Sequence, residues 1–81
     1  MAKMRVLSAR GDTVLEWDER KLQTGDPEAL AAVREAERIF EEQRARGATA
    51  FKVEPNQPAQ RLDAFDRTAE QIIVVPRVAG G

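Results

Sequence analysis

The sequence predicts a single α+β domain, in which a mixed sheet of four or five strands carries one long helix packed on one face. Its 81 residues suffice for one hydrophobic core. Residues 27–46 form one long stretch with apolar side chains at helical spacing and no internal glycine or further proline. Short apolar runs of strand length flank this stretch on both sides. We assign residues 1–75 to the domain and residues 76–81 to a C-terminal tail.

The first two runs predict a β-hairpin. Residues 4–9 are mostly apolar, and residues 13–17 are rich in β-branched and aromatic side chains, which favour strands. Glycine and aspartate between the two runs tolerate the backbone conformations of tight turns. The tripeptide Arg10-Gly11-Asp12 has the letters of an integrin-binding motif, but its position between two strands favours a turn.

The long helix has recognisable signals at both ends. Asp26 is expected to cap the free amide groups, and Pro27 suits the first helical position because its φ is already fixed. Gly47 occupies the place of the left-handed residue that ends many helices. Charged side chains cover one side of this helix, so we expect its other side to lie on a sheet. That side carries an apolar stripe formed by Ala29, Val33, Ala36 and Phe40.

Three further runs follow the helix. Residues 48–53 alternate along one face, residues 60–65 form a short run, and residues 71–75 form the most apolar run of the chain. A continuous apolar run is typical of a central strand. We therefore expect the first and last strands to form a parallel central pair. The side chains expected in the core are Leu15, Trp17, Leu30, Val33, Phe40, Phe51, Ile73 and Val75.

The composition argues against several classes of function. The chain has neither cysteine nor histidine, so we expect neither an enzyme nor a bound cofactor or metal. The 13 basic and 14 acidic residues are spread along the chain, which argues against nucleic-acid binding. No run reaches the roughly 20 apolar residues of a membrane span. The N-terminus lacks the features of a secretory signal, which predicts a cytoplasmic protein.

Two smaller features receive structural interpretations. We interpret Glu16, Asp18 and Glu19 as a solvated edge, because a hard cation needs about six oxygen ligands at defined spacing. Trp17 is the only tryptophan, a residue type enriched at binding hot spots. In a domain of this size we expect it in the core instead.

The tail carries the strongest functional signal. The apolar run 71–75 leads directly into Pro76-Arg77-Val78-Ala79-Gly80-Gly81. Six extended residues reach about 20 Å, and a glycine without a side chain can enter a narrow channel. Pro76 stiffens the base of this arm and prevents it from extending the sheet. The Gly81 carboxylate is thereby presented for activation by another protein.

These last residues resemble the tail of the molybdopterin synthase small subunit. The order of elements is similar to that of the ubiquitin-like β-grasp family, which also includes the thiamine-pathway sulfur carrier and bacterial ubiquitin-like proteins. The resemblance implies a carrier or modifier whose terminal Gly80-Gly81 is adenylated at its carboxylate by an E1-like enzyme with ATP and magnesium. A sulfur acceptor or a conjugation target, and a zinc isopeptidase, are further implied partners. The tail residues implied to contact the E1-like enzyme are Pro76, Arg77, Val78 and Ala79.

The sequence leaves two questions open. The activated carboxylate can receive sulfur as a thiocarboxylate or can be joined to a lysine, and the residues do not decide between the two. A different class of function is a non-catalytic interaction module, such as an adaptor or a phage-derived binding protein. Such a module would use a face of the sheet and make no use of the tail. Neighbouring genes for an adenylating enzyme or a zinc isopeptidase would favour the first class.

Overall fold

A computed structural model describes residues 1–77 of the chain. Within this range five strands form one mixed sheet, and one long helix packs on one of its faces, as predicted. The elements in chain order are β1 (Ala2–Val6), β2 (Thr13–Trp17), α1 (Glu19–Gln23), α2 (Pro27–Ala45), β3 (Thr49–Val53), β4 (Gln60–Leu62) and β5 (Gln71–Val75).

The strands lie in the order β2-β1-β5-β3-β4, so the last strand occupies the centre of the sheet. β1 and β5 are parallel, whereas β1 with β2, β3 with β5 and β3 with β4 are antiparallel. The predicted parallel pairing of the first and last strands is therefore confirmed. A mixed sheet of this order, with a helix crossing between its second and third strands, is a β-grasp arrangement.

The long helix follows its sequence signals closely. The carboxylate of Asp26 accepts a hydrogen bond from the Ala29 backbone N–H at 3.1 Å, and Pro27 stands at the first helical position. The predicted apolar stripe is the buried side of α2. The helix ends at Ala45, one residue before the predicted end, with Arg46 as its C-cap. Among the helices of residues 1–77, none has both the length and the apolar content that a membrane span requires.

Two local predictions need correction. β1 begins and ends earlier than predicted, so residues 7–12 form a six-residue loop instead of a short turn at residues 10–12. Gly11 has φ +119° in this loop, which confirms that the glycine serves a turn. Residues 19–23 form the short helix α1, which the polar composition did not indicate. Asp18 caps α1 by accepting hydrogen bonds from the backbone N–H groups of the next turn.

The predicted core is partly wrong, because in two strands the buried side chains are those next to the predicted ones. Trp17, Val33 and Phe40 are buried as expected, and Leu15 and Leu30 are half-buried. The buried side chains of β3 and β5 are instead their alternate residues: Ala50, Ile72 and Val74. Phe51, Ile73 and Val75 lie on the opposite face of the sheet and are half-buried.

The register explains this difference. Met4 pairs with Ile72 and Val6 pairs with Val74, and paired residues share a face of the sheet. Apolar and basic side chains alternate clearly along β1. Its two basic residues, Lys3 among them, lie on one face of the sheet, and its apolar residues lie on the other face. β5 is apolar at every internal position and has no alternation of its own, so its neighbour decides which side chains point toward α2.

Candidate functional site

The root of the tail is the first candidate site. Pro76 and Arg77 follow Val75, the last residue of the central strand β5. Pro76 is half-buried against the body and Arg77 is exposed. The other predicted site residues are Val78, Ala79, Gly80 and Gly81, and they lie outside the residues that the structure describes.

The second candidate is the face of the sheet opposite α2, which we call the open face. Because α2 packs on the other side, the side chains on the open face have no helix over them. Paired residues place one row of mixed chemistry across it, from β2 to β4. This row consists of Val14, Arg5, Ile73, Phe51 and Arg61.

The centre of the open face is apolar. Phe51 and Ile73 are directly paired, and Val75 lies two residues further along the same strand as Ile73. These apolar side chains are half-buried in the free protein, and burying their remaining exposed surface against a partner is favourable. Since Val75 precedes Pro76, this apolar centre is continuous with the root of the tail.

The rim of the open face carries charges of both signs. Lys3 and Arg5 from β1 and Arg61 from β4 flank the apolar centre, and Glu16 of β2 is the cross-strand partner of Lys3. One Arg5 guanidinium nitrogen lies 3.3 Å from a carboxylate oxygen of Asp12, which holds the β1–β2 loop over this end of the sheet. An exposed ion pair of this kind contributes at most about 1 kcal/mol, so its effect is local.

The tryptophan has a structural role. Trp17 is 1% exposed, and its ring centroid lies 5.9 Å from that of Phe65. Phe65 also packs edge-on against Phe40 with centroids 5.6 Å apart. The three aromatic rings together join β2, α2 and the loop before β5. Within the described residues the Trp17 indole N–H has no hydrogen-bond partner.

The acidic residues after β2 do not form an ion site in the structure. The carboxylate of Asp18 caps α1, as its hydrogen bonds to the backbone show. In the part of the chain that the structure describes, no three acidic, His or Cys residues are placed so as to hold a metal ion.

Charged side chains on the outer side of α2 pair with one another. Arg38 donates hydrogen bonds to both Glu35 and Glu42, which lie one turn away on either side. The hydrogen bond from Arg38 lowers the pKa of Glu35, and the same bond raises the pKa of Arg38. These groups are exposed, and they satisfy one another along the helix surface.

A partly buried ion pair anchors the loop before β5. The Asp66 carboxylate accepts hydrogen bonds from the backbone N–H of Thr68 at 2.9 Å and from the ammonium of Lys52 at 3.3 Å. The Thr68 hydroxyl donates a further hydrogen bond to the same carboxylate. These bonds, with that of the Thr68 hydroxyl the largest cause, lower the pKa of Asp66. Lys52 lies on β3, so its bond to Asp66 joins two segments that are fourteen residues apart.

We expect Asp66→Asn to lower the free energy of unfolding by about 1 kcal/mol near neutral pH, because it removes a charge-assisted bond while keeping the side-chain shape. The folded-state pKa of Asp66 is depressed. Its stabilisation is therefore fully present above the ordinary aspartate pKa of about 3.9 and is lost as the pH falls through the folded value. Urea unfolding of both chains between neutral and acid pH measures this.

Asp63→Asn provides the matched control in the same loop. The Asp63 side chain is 84% exposed and lies 3.7 Å and 4.0 Å from two arginines. Its replacement should change the unfolding free energy by less than about 0.5 kcal/mol. A loss in Asp66→Asn that persists unchanged at the lowest pH would show that the charge of Asp66 is not what stabilises the loop.

No protein-family model, curated protein or solved structure matches this chain. The resemblance of the tail to sulfur carriers and ubiquitin-like modifiers therefore stays a prediction from the sequence. The arrangement of strands and helix supports the fold that this resemblance implies.

Proposed function

We propose that this protein is a ubiquitin-like modifier or sulfur carrier whose Gly81 carboxylate is activated by an E1-like enzyme. One observation supports the proposal above the others. The central strand of a β-grasp sheet runs directly into Pro76 and Arg77, and the sequence then continues through four residues to Gly81. The chain is the substrate of the activating enzyme and performs no catalysis itself. The Gly81 carboxylate is free if the chain ends there or is cleaved after it.

Activation requires little from the carrier beyond an accessible carboxylate. The Gly81 carboxylate attacks the α-phosphorus of ATP, bound with magnesium by the enzyme, and pyrophosphate leaves. The resulting acyl-adenylate is open to attack at its carbonyl carbon. Sulfide that displaces AMP yields a thiocarboxylate directly. Attack by the outer sulfur of a persulfide yields an acyl disulfide, which a second thiol cleaves to release the thiocarboxylate and form a disulfide. Displacement of AMP by a thiol, and then of that thiol by a lysine amine, yields an isopeptide. Glycines suit this position because they bring no side chain into the nucleotide site.

The test is direct incubation of the protein with candidate E1-like enzymes from the same genome, ATP and magnesium. Intact-mass measurement distinguishes the adenylate, the thiocarboxylate and the isopeptide, because each adds a different group to the same chain. Pyrophosphate release that depends on the protein provides a second measurement of activation. If every such enzyme leaves the chain unmodified and releases no pyrophosphate, the proposal is wrong.

The open face supports a second candidate, an interaction module. Phe51, Ile73 and Val75 form an apolar centre with a charged rim, so a fitting partner would present apolar side chains surrounded by charged ones. In this case the body binds and the tail is dispensable. In the carrier proposal the same face supplies affinity for the enzyme, so the two candidates differ in whether the tail is needed.

We expect Ile73→Thr to weaken binding of the enzyme or other partner by about tenfold or more, because contact energy concentrates at the centre of an interface. Threonine keeps the β-branched shape that a strand favours. Val14→Thr is the control, because Val14 is 42% exposed on the edge strand of the same row. Titration calorimetry on both variants measures the affinities. Equal affinities for the two variants would show that the centre of the open face is not a docking surface.

A further inference from the structure

The start of the tail makes a specific contact with the domain. The side chain of Arg77 lies across Gly47, the residue that follows the C-cap of α2. A Cβ atom placed on Gly47 would lie 3.1 Å from Cδ, 3.6 Å from Cβ and 3.9 Å from Cγ of Arg77. The aliphatic stem of the Arg77 side chain thus packs on Gly47, and only glycine, which has no side chain, leaves room for it.

The backbone at Gly47 is itself fixed. Its φ is +94°, a conformation that favours glycine, and its N–H donates to the Arg44 carbonyl at 2.9 Å. The N–H of Ala48 donates to the Gln43 carbonyl at 3.0 Å. These two bonds are those of a Schellman motif, which closes the C-terminal end of α2. Arg77 therefore rests on a rigid surface, and a positive charge is favourable near the C-terminus of a helix.

The residue before Arg77 turns the chain toward the same helix end. Pro76 lines a recess together with Gln43 of α2 and with Val6 and Thr13, whose positions face the helix side of the sheet. After β5 the chain thus continues on the side of the sheet on which α2 packs. Two consecutive residues at the start of the tail therefore contact the domain: Pro76 lines a recess and Arg77 packs on Gly47.

We propose that Arg77 is a positioning residue, whose stem on Gly47 fixes the start of the tail beside the C-terminal end of α2. This inference rests on the proposed function. With Arg77 fixed, only the four residues after it can extend from the domain. Their maximum reach is about 13 Å, compared with about 20 Å if all six residues of the tail could extend. An activating enzyme that binds the open face would then receive the tail at the end of the domain where α2 and the β1–β2 loop lie.

The expected benefit is pre-organisation. A tail that starts from a fixed point has fewer backbone angles to order when the carboxylate enters the nucleotide site. Freeing one residue adds an entropy cost that corresponds to about a tenfold loss of rate. Because the contact is within the carrier, its loss should lower kcat for adenylation and leave KM, which reflects docking of the body, nearly unchanged.

Gly47→Asn tests the contact without touching the tail. Asparagine tolerates a positive φ better than other side chains, and its bulk displaces the Arg77 stem. Gly25→Asn is the matched control: Gly25 has φ +80°, and an added Cβ there meets nothing within 4 Å. We expect about a tenfold lower kcat for Gly47→Asn relative to Gly25→Asn, with equal KM. Equal kcat values for the two variants would overturn the inference.

Substitutions of Arg77 separate packing from charge. Arg77→Met keeps an unbranched stem without the guanidinium, so it should retain most of the wild-type kcat, whereas Arg77→Ala should lose about tenfold. If Met and Ala variants instead show the same increase in KM, Arg77 contacts the enzyme through its charge and the positioning role is wrong.

A measurement on the free protein keeps the two proposals distinguishable. In NMR spectra we expect contacts between the Arg77 side-chain protons and the Gly47 α-protons, and a rigid Arg77 amide that becomes mobile in Gly47→Asn. Absence of these contacts in the intact chain would overturn the positioning inference alone. Absence of any adenylate from the intact chain, with these contacts present, would overturn the proposed function and the role of the contact in activation.

Discussion

Deletion of Gly81 should abolish adenylation while leaving the thermal midpoint of the protein unchanged. In the proposed function the reacting carboxylate belongs to this residue, and in a chain that ends at Gly80 it would lie one residue closer to the domain. The sheet and both helices are formed by residues 2–75, so the fold does not depend on the last residue. The measurements are protein-dependent pyrophosphate release, intact mass after incubation with the enzyme, and a thermal melt of each chain.

Two further variants make this result specific. Gly81→Ala keeps the length of the tail and adds one methyl group, so a strong loss of adenylation would show that the nucleotide site admits only glycine. An extension beyond Gly81 should also block adenylation until a protease removes it. If the chain without Gly81 performs every measurable function as well as the intact chain, the carrier proposal is wrong and the interaction module stands.

Phe40→Ala should lower the free energy of unfolding by about 3–5 kcal/mol, the usual cost of emptying a buried aromatic site. Phe40 is fully buried, and it carries the contact between α2 and Phe65, which in turn packs on Trp17. Against total stabilities of about 5–15 kcal/mol, this loss would unfold a measurable part of the population. Urea unfolding followed by Trp17 fluorescence measures it.

Glu41→Ala is the control for the helix itself, because Glu41 is the next residue of α2 and is exposed. Alanine has the highest helix propensity, so this change should alter the unfolding free energy by less than about 0.5 kcal/mol. A loss below about 1 kcal/mol for Phe40→Ala would contradict the position of Phe40 at the centre of the core.

Local sequence signals were sufficient to predict an element where all the interactions that define it lie within one short segment. Asp26, Pro27 and Gly47 define the ends of α2 through groups that lie within a few residues of each other. The 3.6-residue spacing of the apolar stripe fixed the buried side of the helix. The short helix α1 was missed because it has no buried residue and its cap, Asp18, resembles any other acidic residue of a loop.

The candidate site could be predicted only in part. The motif of the tail and its position after the last strand are properties of the sequence. The contact of Arg77 with Gly47 joins residues that are thirty positions apart, and the sequence has no signal for it. The nearest clue is the glycine itself, whose positive φ is expected at a helix end whether or not another side chain rests on it.

By itself the sequence determined the class of the fold, the bounds of α2 to within one residue and the parallel pairing of the first and last strands, and it predicted the chemistry of the tail. Only the tertiary structure decided that Ile72 and Val74 face the helix while Ile73 and Phe51 form the open face. The physical reason is that a strand of uniformly apolar residues can turn either side inward at similar cost. The neighbouring strand, with its basic side chains on one face and apolar side chains on the other, fixes the choice through the register.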